Sequence, residues 1–313
     1  MLQNRINVNL AGLALSSPLM LASGVLGQTG DSLANIANSG AGAVVTKSIG
    51  PAPNPGHPGP NIIEVDCGFI NSMGLPNPGA ENFIEEIKVF KEKSNKPIIV
   101  SIYGSTEEEY AFVAETFSKA DIDAIEINVS CPHSREKILN IGLSPEMVKN
   151  VIFAVKNAIR PKSIPLFLKL AGNTHIENQL NVAKAAIDAG IDGLVAINTL
   201  PAIAIDIWTE RPVLGFKIGG LSGPAIKPVA VRIVYELFKK FGTQIPIIGV
   251  GGIITWKDAV EFMLAGATAV QIGSGIAYRN ITIFKEINDG LVTYLNKKKI
   301  GNIREIIGKA HRY

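Results

Sequence analysis

Asp188-Ala189-Gly190-Ile191-Asp192-Gly193-Leu194 joins the end of a helix-like segment to a short apolar run through a small-residue turn. Glycine suits a helix C-cap because it adopts positive φ without steric cost, and the apolar run suits a parallel strand buried on both faces. Related segments occur at 39–45, 119–125 and 264–270, and glycine is present in three of the four copies. This repetition predicts helices that alternate with parallel strands.

Three further strands are predicted where an apolar run follows Pro97, Pro165 or Pro246, because proline is tolerated as a first strand residue. With a first strand at 19–22, eight strands are expected, beginning near residues 19, 43, 97, 124, 165, 193, 246 and 269. The pattern predicts an α/β fold, a (β/α)8 TIM barrel that forms a single domain over residues 1–313. A doubly wound sheet is the alternative.

Two other features accompany the predicted barrel. Segment 6–15, with Ala11-Gly12 at its middle, is typical of a β-hairpin and is expected to close the bottom of the barrel. The connections at 47–80 and 199–223 are unusually long, and long loops on a barrel are usually functional. Because such barrels carry their active site at the C-terminal ends of the strands, these connections are expected to be long active-site loops.

Composition narrows the class of protein. The 313 residues are 47% hydrophobic and 18% charged, with a net charge of +3. That charge is too small to predict a nucleic-acid partner. The two cysteines, Cys67 and Cys131, have no metal-ligand spacing and no disulfide pattern, which favours a reducing compartment. No apolar stretch approaches the roughly 20 residues that span a bilayer, so a cytoplasmic protein without a membrane partner is expected.

Polar residues recur where the predicted strands end: Ser23, Lys47, Ser48, Ser101, Asn128, Cys131, Lys169, Asn198 and Thr199. Two buried lysines would be costly unless an anion pairs with them. The last two strands end in Gly251-Gly252 and Gly273-Ser274, and backbone N–H groups in such turns bind phosphate. A redox cofactor that carries a phosphate would supply the anion, and flavin mononucleotide (FMN) fits.

The stretch Asn128-Val129-Ser130-Cys131-Pro132-His133 follows an apolar run that should end a buried strand. Asn128 can hydrogen-bond a planar polar ligand. Three residues later, the Cys131 thiol can act as a base or a nucleophile. A small buried cysteine is the alternative interpretation of this stretch. The polar residues at the other strand ends favour the interpretation of Cys131 as a base or nucleophile.

With these residues assembled, the chain resembles the dihydroorotate dehydrogenases of the soluble, cysteine-type class. The resemblance covers nearly the whole chain and rests on five motifs: Leu21-Ala22-Ser23-Gly24, the segment from Asn71-Ser72-Met73-Gly74-Leu75 to Gly79, Asn128 to Pro132, Ile197-Asn198-Thr199-Leu200, and Gly219-Gly220-Leu221-Ser222-Gly223 to Pro228. The chain is most similar to the NAD-linked subclass, in which a catalytic subunit pairs with a flavin and iron–sulfur subunit.

The resemblance implies a set of site residues. FMN would be held by Ser23, Lys47, Ser48, Ser101, Asn128, Lys169, Ile197, Gly223, Gly251, Gly252, Gly273 and Ser274. Dihydroorotate or orotate would be held by Lys47, Asn71, Ser72, Met73, Gly74, Leu75, Asn128, His133, Asn198 and Thr199. Cys131 would remove the C5 proton while C6 delivers hydride to flavin N5.

The resemblance also implies partners. It predicts an electron-transfer subunit carrying FAD and an iron–sulfur centre, and a homodimer at the core of a heterotetramer. The physiological electron acceptor stays open, since fumarate could accept electrons directly in place of NAD reached through the partner.

Two positions depart from the family pattern. His133 and Ser101 stand where many members carry asparagine, and Cys-Pro-His also occurs in dihydropyrimidine dehydrogenases, which act on uracil and thymine. A pyrimidine-base reductase is therefore an alternative, although the motifs at Asn71 and Asn198 favour orotate. An RNA-directed reductase of the dihydrouridine synthase type and a non-catalytic barrel are further alternatives. The small net charge disfavours the former, and the retained Cys131 disfavours the latter.

Overall fold

Eight parallel strands close into a barrel in the computed structural model, which describes residues 5–129 and 141–313. In chain order they are β1 (Leu19–Leu21), β2 (Ala43–Val45), β3 (Ile98–Ile102), β4 (Ala124–Asn128), β5 (Leu166–Lys169), β6 (Gly193–Ala196), β7 (Ile247–Val250) and β8 (Ala269–Ile272). The ring closes because β8 pairs with β1, where Val270 lies opposite Leu19. The predicted (β/α)8 barrel is confirmed, and the doubly wound alternative is wrong because that sheet has two free edges.

The predicted strand starts agree with the observed ones to within one residue. Each of the three prolines stands just before its strand and is not the first strand residue. The missing proline N–H costs nothing there, while the carbonyl oxygens of Pro97, Pro165 and Pro246 accept the first hydrogen bonds from the neighbouring strands, at 3.0, 2.9 and 3.0 Å.

The helices pack their apolar faces on the barrel. They span Gly30–Asn38, Ala80–Lys93, Glu107–Ser118, Pro145–Ala158, Ile176–Asp188, Lys227–Phe241, Trp256–Ala265, Gly275–Arg279 and Ile283–Lys298. The glycines of the repeat follow three of them with positive φ, at 111° for Gly40, 83° for Gly190 and 125° for Gly266. The C-cap role predicted from the repeat is confirmed, because these conformations strain any residue with a Cβ.

The predicted hairpin consists of two antiparallel strands, Val8–Leu10 and Leu13–Leu15, joined at Ala11 and Gly12 with φ of 50° and 93°. The inward side chains of Leu10 and Leu15 belong to the buried core of the barrel. The hairpin runs directly into β1, so it lies at the N-terminal end of the barrel, as expected.

The two long connections differ from the expectation of loops, because they form one antiparallel sheet. Its four strands occur in the order Leu200–Ile203, Ile218–Ser222, Gly68–Asn71 and Ile62–Val65. A separate two-stranded pair joins Ile205–Asp206 to Arg211–Pro212. The second sheet therefore ties the connection after β2 to the connection after β6. Over the ranges 5–129 and 141–313, no helix is long and apolar enough to cross a membrane.

Candidate active site

A cavity of about 470 Å³ opens at the C-terminal ends of the barrel strands, with the second sheet as one wall. Most of the residues predicted to form a site line it: Ser23, Lys47, Ser48, Asn71, Met73, Gly74, Leu75, Asn128, Lys169, Ile197, Asn198, Thr199, Gly223, Gly251, Gly252, Gly273 and Ser274. The fold thus brings together residues from at least seven strand ends and both long connections.

Two predicted residues in the described part of the chain, Ser72 and Ser101, do not line the cavity. Ser101 is fully buried behind Ser48, and their hydroxyl oxygens are 2.9 Å apart. Ser72 is also fully buried, and its Oγ has no hydrogen-bond partner among the described residues. Cys131 and His133 lie outside the described residues.

Two asparagines form a hydrogen-bonded pair in the cavity wall. Asn128, the last residue of β4, donates from Nδ2 to Ser48 Oγ at 3.0 Å. Its Oδ1 accepts from Asn198 Nδ2 at 3.5 Å, and its backbone carbonyl accepts from the buried Tyr110 hydroxyl at 2.9 Å. These bonds fix the Asn128 amide, so its orientation is set before any ligand binds.

The lysines at the strand ends are both buried, and both line the cavity. Lys169 Nζ is 3.6 Å from Oε1 of Glu126, which is itself fully buried. For Lys169 the chain itself provides a carboxylate, so the burial of this lysine does not by itself require the anion of a cofactor. A buried ammonium needs an opposite charge, and Glu126 meets that need.

Glu126 and Gln271 are site residues that the sequence analysis missed. Gln271 lines the cavity and donates from Nε2 to Glu126 Oε2 at 2.8 Å. Ser101 Oγ donates to Glu126 Oε1 at 3.3 Å. The signal was present in the sequence, because a charged residue interrupts the apolar strand β4 two positions before Asn128. Residues two apart on a strand share a face.

Glycines shape the opposite wall. Gly223, Gly251 and Gly252 have φ of 98°, 133° and 70°, and a Cβ at Gly252 would lie 2.7 Å from the carbonyl oxygen of Gly223. Among the described residues, no carbonyl accepts from the backbone N–H groups of Gly252, Gly273 or Ser274. These N–H groups, on the cavity wall, form a cradle that suits an anionic group.

Ion pairs stabilise the segment next to the glycine wall, which is formed by Gly223, Gly251 and Gly252. Lys227 Nζ is 2.8 Å from Asp258 Oδ1 and 2.7 Å from Glu261 Oε2. Asp258 also accepts from the N–H groups of Ile254 and Thr255, at 3.1 and 2.8 Å, at the start of the helix Trp256–Ala265. Burial raises the pKa of Asp258, but the hydrogen bonds from Lys227, Thr255 and Ile254 together outweigh it and lower that pKa.

Comparison with known proteins assigns this architecture to a family. The family model for dihydroorotate dehydrogenase matches residues 5–295. The catalytic subunit of dihydroorotate dehydrogenase B (NAD(+)) from Methanosarcina mazei is 50% identical over 303 residues, which cover 96% of this chain and 94% of that protein. This chain belongs to the dihydroorotate dehydrogenase family. The corresponding subunit from Methanocaldococcus jannaschii is 47% identical over 309 residues, which cover 98% of both chains.

A solved structure agrees with this membership of the dihydroorotate dehydrogenase family. DHODH from Eimeria tenella, crystallised in complex with ferulenol, has a TM-score of 0.87 at 25% identity and covers 99% of this chain and 89% of that one. The chain is thus an oxidoreductase, and the resemblance seen in its motifs is confirmed. The non-catalytic barrel and the RNA-directed reductase are excluded as alternatives.

Proposed function

We propose that this chain oxidises dihydroorotate to orotate in pyrimidine biosynthesis, with FMN as its bound cofactor. Family membership supports the reaction. The observation that carries the proposal is a cavity lined by two buried lysines, a pair of amides and a wall of glycines. Its volume of about 470 Å³ lies in the usual range for cofactor sites.

The donors and charges on the cavity wall fit FMN. The N–H groups of Gly252, Gly273 and Ser274 would bind its phosphate, because they have no carbonyl partner among the described residues. The ring would contact the residues around Lys169 and Asn128, and Ser101 would act through the Ser48 hydroxyl. The full FMN set is the predicted one: Ser23, Lys47, Ser48, Ser101, Asn128, Lys169, Ile197, Gly223, Gly251, Gly252, Gly273 and Ser274. When bound, FMN supplies at N5 an acceptor for the hydride from C6 of the substrate.

Amide side chains from three parts of the chain would hold the pyrimidine ring. Asn71 comes from the second sheet, Asn128 from β4 and Asn198 from the end of β6, and all three line the cavity. An amide can satisfy both the donors and the acceptors of such a ring. Lys47 would offset the substrate carboxylate. The remaining predicted contacts are Ser72, Met73, Gly74, Leu75, His133 and Thr199.

Cys131 would be the base that removes the C5 proton. It follows Asn128 by three residues in the sequence, and a cysteine can perform this role once it is substantially thiolate. Cysteine at this position, in place of the serine of the quinone-linked class, supports assignment to the soluble class.

The electrons would leave through a second subunit that carries FAD and an iron–sulfur centre, with NAD as the final acceptor. The relatives from Methanosarcina mazei and Methanocaldococcus jannaschii are named as NAD(+)-type catalytic subunits, which supports a separate partner. A homodimer core is also proposed. Its candidate interface is the apolar surface formed by five exposed side chains, Ile203, Ile205, Ile207, Trp208 and Ile218.

An anaerobic visible spectrum of the purified chain tests the reaction directly. Dihydroorotate is expected to bleach a bound flavin band, and dihydrouracil is the matched control because it lacks the carboxylate. Bleaching by dihydrouracil alone would transfer the assignment to the pyrimidine-base reductases. A folded protein that binds no flavin would refute the cofactor. Reoxidation by fumarate without any partner subunit would refute NAD as the necessary acceptor.

A further inference from the structure

The buried carboxylate of Glu126 has no part in the chemistry described so far. It lies on β4 one inward position deeper than Asn128, and it does not line the cavity. Both of its oxygens are engaged: Oε1 by Lys169 at 3.6 Å and Ser101 at 3.3 Å, and Oε2 by Gln271 at 2.8 Å. A carboxylate with partners on both oxygens is held in one orientation.

Two side chains that contact Glu126 extend into the cavity wall, although Glu126 itself does not. Lys169 and Gln271 both line the cavity, so both can contact a ring bound there. Because Glu126 lies within 3.6 Å of the Lys169 ammonium, it fixes that group and offsets its charge. Glu126 can therefore affect a ligand through these neighbours and through its own charge, without contacting the ligand.

Glu126 also sets the direction of a chain of hydrogen bonds. An ionised carboxylate can only accept, so the Ser101 hydroxyl must donate to it. Ser101 then accepts from Ser48 at 2.9 Å, and Ser48 accepts from Asn128 Nδ2 at 3.0 Å. The Asn128 Oδ1 is left to accept from Asn198. One buried acid thus orients the amide that the proposed reaction uses.

We infer that Glu126 is a positioning residue that sets the reduction potential of the bound flavin through Lys169. The inference rests on the proposed function, because it requires FMN in the cavity. Reduction places negative charge on the flavin ring, and a cation at the ring favours that charge. Glu126 weakens this effect by partly neutralising Lys169, so its removal should make the flavin easier to reduce.

The test is an anaerobic titration of the flavin-loaded protein against a reference dye. Glu126→Gln keeps the size of the side chain and removes its charge. The expected result is a rise in midpoint potential that corresponds to at least about a tenfold change in the ratio of reduced to oxidised flavin, or about 30 mV for a two-electron couple. Glu126→Asp retains the charge and is expected to stay near the wild-type potential.

Two further variants separate this effect from a general loss of charge or of folding. Glu115→Gln removes an acid from the exposed face of the helix Glu107–Ser118, and it should leave the potential unchanged. If Glu126→Gln does not fold, Lys169→Met serves instead, and its potential is expected to fall.

The outcomes distinguish this inference from the proposed function. Flavin retained by every variant, with the same potential in Glu126→Gln as in Glu115→Gln, would overturn the inference and leave the proposed function intact. An unchanged potential in Lys169→Met would overturn it as well. A wild-type chain that retains no flavin would overturn both.

Discussion

At its N-terminal end the barrel is closed by apolar side chains of the hairpin, whereas at its C-terminal end it holds a cavity walled by lysines, amides and glycines. Leu10 and Leu15 belong to the core at the first end. At the second end, Lys47, Asn128 and Lys169 are buried and polar. A buried polar group needs a specific partner while a buried leucine does not, so only the second end gains chemical selectivity from burial.

This difference indicates that stability and function depend on opposite ends of the barrel. Residues at the N-terminal end should change the free energy of unfolding without changing the chemistry, while residues at the C-terminal end should do the reverse. The glycine wall should affect both, because it lines the cavity and its positive φ angles would strain any residue with a Cβ.

The largest expected effect is at the closed end. Leu10→Ala should lower the free energy of unfolding by about 3 kcal/mol, because a fully buried leucine is replaced by a cavity. Urea unfolding at fixed FMN concentration measures it, with exposed Ala14→Ser as a control expected within about 0.5 kcal/mol of wild type. Bleaching by dihydroorotate should proceed at the wild-type rate. A slower rate without lost stability would break the proposed division.

The next effect is at the open end. Cys131→Ser should keep the flavin but slow its reduction at neutral pH by about 10² or more, which is the loss expected for a general base and about 2.7 kcal/mol of activation free energy. Stopped-flow bleaching by dihydroorotate measures this rate. The matched control is Cys67→Ser, an identical change at an exposed cysteine, which should have the wild-type rate. Equal rates in the two variants would remove Cys131 from the mechanism.

The glycine wall should show both kinds of effect. Gly252→Ala should destabilise the protein by about 1–2 kcal/mol, because its φ of 70° is unfavourable for alanine. It should also weaken FMN binding by about tenfold, since the new Cβ would lie 2.7 Å from the Gly223 carbonyl oxygen and displace the wall. Fluorescence titration of the apoprotein with FMN measures the affinity.

Gly242 offers a control that also has a positive φ and does not line the cavity. Its φ is 57°, and no atom of the described residues lies within 4 Å of an added Cβ. Gly242→Ala should therefore lose stability and keep the wild-type FMN affinity. If both alanine variants bind FMN equally well, the glycine wall is not a cofactor site.

The barrel could be predicted from the sequence because its signals are local. Glycines follow three of the helices, and apolar runs begin within a few residues of these glycines or directly after Pro97, Pro165 and Pro246, so the strand starts were correct to within one residue. The second sheet could not be predicted in this way. Its strands have half-exposed, alternating patterns, and Asn71 pairs with Gly220, which is far away in the sequence.

The residues that line the cavity could be predicted from the sequence, but the buried residues that contact them could not. Polar residues at strand ends can be located once the strands are known, and most of those predicted line the cavity. Glu126 was overlooked because it lies inside an apolar run, and the residue that explains it, Gln271, is 145 positions away. Only closure of the barrel brings the carboxylate of β4 and the amide of β8 together.

The smallest expected effect concerns the ion pairs next to the glycine wall, and its signature is a pH dependence. Asp258 has a folded-state pKa below the ordinary value of 3.8. Its stabilisation is therefore fully present above about pH 4, and it is lost as the pH falls through the lowered folded-state pKa. Asp258→Asn should be less stable than wild type by about 1 kcal/mol at pH 7, because the amide lacks the negative charge that interacts with Lys227 and with the helix N-terminus.

Urea midpoints between pH 7 and pH 3 measure how this difference between the two proteins changes. The gap should shrink only in the acid range, because the wild-type carboxyl then becomes protonated and resembles the neutral amide. The matched variant Glu261→Gln removes the half-exposed partner of Lys227 and should stay within about 0.5 kcal/mol of wild type throughout. A gap that stays constant down to pH 3 would mean that Asp258 does not stabilise the wall as a charged group and contributes by packing alone.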